Sequence, residues 1–326
     1  SALRRATAAL AVAAAAVTGL VACSSSDDSS ISYQAMPGMP LVIELADALG
    51  YYEGDITLNY KGTVSGGPES AQNVAAGSVD LGQVYNGAIT KIASEGVPIK
   101  AVVAGYGFNE HVDSLIVTRK GSGINGARDL IGKKVAVNTL GASYEAFTDT
   151  WLRSEGLTDE EIKQVTLVPL PPINSPAAVE KGEVDAAGIS SSILKNLPNP
   201  EAFETVLSYS KYYGSRTDGS LVVSERTVKE RPDQLRALVS GAGRAFDWAR
   251  ENGPEATKAK LTEYLTEKGH KELVNGLGFW SGSFGVDTPG GRLTDTDFSQ
   301  WNQWLIADKQ VSGDIKAPDE VYTNEF

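Results

Sequence analysis

The chain has 326 residues, 41% hydrophobic and 21% charged, with a formal net charge of -12 and a single cysteine. So acidic a chain is a poor partner for nucleic acid or for a polybasic grip on anionic lipid. One cysteine excludes an internal disulfide, and with only two histidines, His111 and His270, it argues against a structural zinc site.

Taken in order, Arg4 and Arg5 precede "ATAALAVAAAAVTGL", the charged start and short apolar run of a secretory signal. The order Leu20-Val21-Ala22-Cys23 resembles the lipobox of bacterial lipoproteins, which implies lipidation of Cys23 and a signal peptide over residues 1–22. The "SSSDDSS" that follows is too small and polar to pack, so residues 23–30 read as the lipidated cysteine and a flexible tether. No later apolar run approaches the length of a membrane helix. About 300 residues remain, too many for one small core and enough for two lobes.

These residues alternate strand and helix patterns, which predicts α/β with largely parallel sheets. "ISYQAM", "DITLNYK", "SVDLGQV", "VPIKAVVAGY" and "DSLIVTRK" read as strands, with helices "PLVIELADALGYY", "PESAQNVAAG" and "NGAITKIASEG" between them. A second series follows: strands "KKVAVN", "QVTLVPL", "EVDAAGI", "FETVLSYS" and "SLVVSER", with helices "ASYEAFTDTWLRSEG" and "SPAAVEKG". Thr158 to Glu161 form a capping box. From Arg231 the pattern is helical, broken at Asn252-Gly253-Pro254, and a last helix opens near Thr294 and carries Trp301 and Trp304. The series echo each other: Val74, Gly77, Val79 and Asp80 match Val179, Gly182, Val184 and Asp185 at identical offsets.

In open parallel sheets, ligands bind beyond the carboxyl ends of strands. Those positions hold Tyr33, Gln34 and Met36; then Gln83, Tyr85 and Asn86; then Tyr106, Asn109 and His111. In the second series they hold Thr139, Gly141, Ala142, Ser143 and Tyr144, then Ser190, Ser191 and Ser192. Amides, hydroxyls and aromatics with hardly a carboxylate suit hydrogen bonding and stacking better than acid–base chemistry. The helix start at Ala142 to Tyr144 offers free N–H groups to a sulfonate, nitrate, phosphate or carboxylate, with Ser143 as a plain helix cap left as the alternative. Trp280 and Phe284 of "GFWSGSFG" read as core packing, with a ligand-lining role left as the alternative. A Walker loop, HExxH, GxSxG and GxGxxG are all missing from the sequence, and no cofactor is implied.

"LADALGYYEGDITLNYKG", "NVAAGSVDLGQV", "ASEGVPIKAVV", "DLIGKKVAVNTLGASYEAF", "AAVEKGEVDAAGI" and "ERPDQLRALVSGAGRAFDWARENGPEA" resemble the substrate-binding proteins of the nitrate, sulfonate and taurine (SsuA/TauA-like) ABC importer family. The resemblance implies a periplasmic-binding-protein-like type II fold, two lobes joined by two crossover strands, "SLIVTR" and "SLVVSE". Lobe 1 is then 31–115 with 219–326, and lobe 2 is 116–218. It implies a monomer outside the cell, anchored to the membrane through Cys23. There the protein would capture a sulfonate-like or other small organic anion and deliver it to a permease and its ATPase. By position it carries ligand contact to Gln34, Met36, Gln83, Tyr85, Asn86, Gly141, Ala142, Ser143, Tyr144, Ser190 and Ser191. Where sulfonate binders place an aromatic and an acidic residue after "VDAAGI", this chain has "SSSIL", so the ligand's identity stays open. The rival readings are a lipid-anchored sensor and a cleft enzyme such as a sulfinate desulfinase.

Overall fold

The computed structural model describes residues 29–52 and 54–326; Cys23 and the segment before it lie outside the described residues. Strands and helices follow the order that the patterns predict. β1 (Ser30–Ala35) leads to α1 (Val42–Ala48), β2 (Thr57–Thr63), α2 (Gly67–Ala75), β3 (Leu81–Tyr85), α3 (Asn86–Ser94) and β4 (Ile99–Phe108). A first connection, 109–113, leads to β5 (Ser114–Arg119), β6 (Lys134–Val137), α4 (Ser143–Ser154) and α5 (Asp159–Ile162). Then come β7 (Thr166–Pro169), α6 (Ser175–Lys181), β8 (Ala186–Ser190), α7 (Ser191–Lys195), β9 (Phe203–Ser208) and α8 (Tyr209–Tyr213). The chain returns as β10 (Arg216–Ser224), followed by α9 (Glu225–Glu230), α10 (Pro232–Glu267) and α11 (Lys271–Gly276). It ends with α12 (Asp295–Ser299), α13 (Asn302–Ala307) and α14 (Pro318–Val321).

The strands form two five-stranded sheets, ordered β2-β1-β3-β10-β4 and β7-β6-β8-β5-β9. In each, three parallel strands stand beside one antiparallel strand that has just crossed from the other sheet. β10 runs antiparallel to β3 and β4, and β5 runs antiparallel to β8 and β9. This is the expected α/β architecture with two crossing connections.

Alternation along the strands assigns the helices to faces. In β3, Gly82 meets Ser70 and Val74 of α2, so even-numbered positions face α2. The opposite face carries α1 and α10: Tyr33 of β1, paired with Leu81, donates its hydroxyl to Glu44 of α1 at 2.8 Å. Burial pushes the Glu44 carboxyl up to about 7. α10 leaves helical geometry at Gly253 (φ 81°, ψ 172°), directly before Pro254, because proline cannot donate to the helix and crowds the turn before it. The single last helix expected from Thr294 is two short ones. Thr294 does open α12, its backbone N–H donating to Asp297 Oδ2 at 2.8 Å, but the chain turns at Gln300–Trp301 before α13 carries Trp304 onward.

Candidate functional site

Where the two sheets face each other, aromatic side chains from both interlock. Phe147 of α4 stacks on Tyr209 of α8 at 4.1 Å between ring centroids. Around this pair stand Phe108 (5.4 Å from Phe147), Tyr144 (5.8 Å), Trp301 (5.6 Å) and Tyr85 (6.2 Å). Residues of the second sheet region thereby join the main core of the first: Val137, Tyr144, Ala146, Phe147 and Tyr209 share one cluster with Tyr85, Phe108 and Trp301.

Two glycines shape the walls. A Cβ on Gly188 of β8 would lie 2.3 Å from the Tyr144 ring, and one on Gly219 of β10 would lie 2.0 Å from the Tyr106 ring. Each tyrosine is seated in the space that a missing side chain leaves. The Tyr144 hydroxyl accepts from Ser114 at 3.3 Å.

Polar atoms without partners collect in the same place. Asp218 is fully buried, and both its carboxylate oxygens lack a hydrogen-bond partner, as do Gln83 Oε1, the Tyr85 hydroxyl and Asn86 Nδ2. Burial drives the Asp218 carboxyl well above the usual carboxylate range, Arg216 opposing it and Asp297 adding to it. Burial, and after it the Asp218 charge, raises the hydroxyls of Tyr85, Tyr106 and Tyr209 well above the usual phenol range. Such a set can hold a small molecule by hydrogen bonds and ring contact. The unpartnered groups define what a ligand would have to satisfy.

The residues expected at the site fall in different places. Tyr85 and Tyr144 belong to the aromatic cluster, and Gln83 is buried in β3 with Oε1 2.9 Å from where a Cβ on Gly105 of β4 would lie. Asn86 is buried at the start of α3, its Oδ1 accepting from Ser220 at 2.7 Å. Gln34 faces the other way, accepting from Asn73 of α2 at 2.9 Å. Met36 bridges to Met39 in a tight turn that abuts Gly276, where a Cβ would lie 2.2 Å from the Gly38 Cα. Ser190 caps α7, accepting the Ile193 N–H, and Ser191 accepts the N–H of Asp113 in the first connection.

At the start of α4 the N-cap is Ala142, and the hydroxyl of Ser143 does not act as the cap. Gly141 (φ 75°) donates its N–H to Glu145 Oε2 at 2.5 Å. Glu145 continues outward through Gln310 to Lys91 of α3, and Arg153 pairs with Asp308 at 3.0 Å. The segment 302–310 thus straps α3 to α4 across the opening between the sheets. Phe147, Tyr209, Arg216, Asp218 and Trp301 were missing from the expected set; nothing in the sequence marks Asp218, because the crossing strand is expected only from Ser220 whereas β10 begins at Arg216.

His111 sits on the first connection in the wall of a cavity of about 390 Å³ that Asn109, Arg250, Phe284 and Asp287 also line. Its nearest acidic partner, Glu110, is 3.7 Å away and exposed. Among the described residues, no group of three or more His, Cys, Asp or Glu side chains is placed to hold a metal, and no helix is long and apolar enough to cross a membrane.

Known structures share this architecture. The periplasmic aliphatic sulphonate binding protein SsuA from Escherichia coli matches with a TM-score of 0.67 at 16% identity, over 91% of this chain and 92% of that one. The periplasmic nitrate-binding protein NrtA from Synechocystis PCC 6803 matches at 0.63 and 12% identity, over 90% and 86%. The desulfurization enzyme DSZB matches at 0.60 and 18% identity, over 91% and 96%. At these identities the likeness establishes the fold, that of the periplasmic binding proteins. No curated protein sequence matches this chain. The family model described as NMT1/THI5 like spans residues 41–256, about two thirds of the chain and parts of both sheets. The chain belongs to the NMT1/THI5-like family.

Proposed function

We propose that this protein is the solute-capturing subunit of an ATP-binding-cassette importer. It holds a small molecule between two lobes, 31–115 with 219–326 and 116–218, and presents it to a membrane permease and its ATPase. The observation that carries this reading is the collection of buried, unpartnered polar atoms of Gln83, Tyr85 and Asp218 where the two sheets face each other across two connections. Hinged closure over such a site converts ligand binding into a shape that a permease can read. The names of the sulfonate- and nitrate-binding neighbours point the same way. Lipid on Cys23 would keep the protein at the outer face of the cell membrane, where a permease is within reach.

Of the residues expected to touch ligand, Gln83, Tyr85, Asn86, Gly141, Ala142, Ser143 and Tyr144 stand nearest this role. Gln34, Met36, Ser190 and Ser191 support the strands and connections around it. One observation favours a second reading: the structural match to a desulfurization enzyme places a catalyst on the same fold.

A thermal-shift series with sulfonates, nitrate, amines and aromatic carboxylates tests both readings. A ligand at a hundred times its dissociation constant should stabilise the fold by about 2.7 kcal/mol. Turnover of an aromatic sulfinate would decide for the enzyme, and silence across the series would leave the sensor reading.

A further inference from the structure

Among the described residues, Asp218 is the one with two buried side-chain atoms lacking a hydrogen-bond partner. It is fully buried, and neither carboxylate oxygen has a hydrogen-bond partner among the described residues. A bare carboxylate in such a place is among the least favourable arrangements a folded chain can keep. The backbone nevertheless holds it there. Pairing between β10 and β4 runs Thr217 to Gly107, Gly219 to Tyr106 and Ser220 to Ala104. Asp218 and Gly105 are therefore the extra residues of two adjacent bulges, and a bulge re-aims a side chain.

The nearby arginine is committed elsewhere. Arg216 donates to Gln300 and to the Tyr213 carbonyl, and its guanidinium lies 5.0 Å over the Tyr213 ring and 5.5 Å over that of Tyr209. Its Nε remains without a partner, one donor only. The charges acting on Asp218 are Arg216, which opposes the effect of burial, and Asp297, which adds to it. Close to the same opening, the Gly141 N–H just before the Ala142 N-cap of α4 is taken by the Glu145 carboxylate.

We propose that the molecule this protein captures carries a cationic nitrogen with at least two N–H donors, an ammonium or amidinium group, and that Asp218 receives it among Tyr85, Tyr106, Tyr144 and Tyr209. The rings add cation–π attraction where water is excluded. The free Nε of Arg216 leaves room for one acidic group on the same molecule. This inference rests on the solute-binding reading and narrows its ligand class.

Matched pairs of probes test it by calorimetry on the purified protein: taurine against ethanesulfonate, and benzamidine against benzamide. At least one nitrogen-cation probe should bind about tenfold more tightly, or better, than its partner, the effect of one charge-assisted hydrogen bond. Asp218→Asn should abolish that preference. Equal binding within both pairs, or a preference that survives Asp218→Asn, overturns the inference while the solute-binding reading stands. Binding of none of the four overturns the nitrogen assignment, and the solute-binding reading is then judged by the wider series. If Asp218→Asn fails to fold, a crystal structure of the wild-type complex decides: the nitrogen should lie about 3 Å from an Asp218 oxygen, and its lying elsewhere overturns the inference.

Discussion

In the first sheet, Asp80 at the foot of β3 accepts the backbone N–H of Ser32 in β1 at 2.8 Å; in the second, Asp185 at the foot of β8 accepts that of Lys134 in β6, also at 2.8 Å. Gly77 and Gly182 precede them in the left-handed region, at φ 72° and 74°, each ending its helix. Val74 and Val179, and Val79 and Val184, are buried alike. The sheets are the same construction at this level, and they differ in what covers them. The first lies under α1 and α10 in a single large cluster. The second has two small clusters, one around Trp151 and Leu152 and one around Val117 and Ile189. The aromatic face of α4 belongs to its neighbour's core. Equal backbones therefore do not mean equal independence: the second region completes its burial only against the first.

The sharpest way to break this comparison is Phe147→Ala. Phe147 touches rings from both regions, so its removal should cost about 3–5 kcal/mol in guanidinium unfolding, as for other large core truncations. A loss below about 1.5 kcal/mol would mean that the aromatic contact between the regions is loose. Next come the two glycine seats. Gly188→Ala and Gly219→Ala should each cost about 2 kcal/mol, because a Cβ must push a tyrosine ring out of its place. Both should weaken ligand binding, and unchanged affinity would remove Tyr106 and Tyr144 from the site.

Much of this was legible in the sequence, for identifiable reasons. Alternation of period two and the helical period depend on neighbours along the chain, so ten strands and the Gly253 break could be read directly. The echo of Gly-x-Val-Asp was legible because each copy does the same local work. Gln83, Tyr85 and Tyr144 could be singled out as candidates from strand ends and a helix start. Asp218 could not: "RTDGS" reads as a polar turn, and its burial exists only because β10 returns between β3 and β4. Phe147 looked like an ordinary face of its helix and Tyr209 like the end of the strand "FETVLSYS", whereas β9 stops at Ser208 and Tyr209 opens α8; their meeting depends on how the two sheets pack. The same holds beside the helix start read at Ala142 to Tyr144, where only the fold sets Glu145 against the Gly141 N–H that precedes it.

The matched aspartates sharpen the comparison further. Asp80 also accepts from the Ser32 hydroxyl and pairs with Arg231 at 3.0 Å, largely out of solvent, whereas Asp185 makes no ion pair within 4 Å among the described residues. Asp80→Ala should therefore cost about 2 kcal/mol and Asp185→Ala about 1 kcal/mol in the same unfolding measurement. Equal losses would show that Arg231 adds nothing, and the two feet would then be energetically as well as geometrically alike.

The smallest expected effect concerns the strap between the regions. Asp149 of α4 accepts from the Trp304 indole at 3.4 Å, and its carboxyl is pushed up to about 7, first by burial and then by Asp308 and Glu145, against the pull of Arg153. A raised carboxyl favours the folded state only while it stays protonated there. Its contribution is complete below about pH 4, where the unfolded chain is protonated too, and is lost as pH rises toward 7. Asp149→Asn removes the titration but keeps an acceptor for Trp304. At pH 4 the variant and the parent should melt together, and at pH 8 the variant should melt about 2 °C higher, the effect of roughly 1 kcal/mol in a chain of this size. A variant that melts lower at pH 8 would mean that the ionised carboxylate serves the contact, through Arg153, and that the strap is held by charge more than by burial.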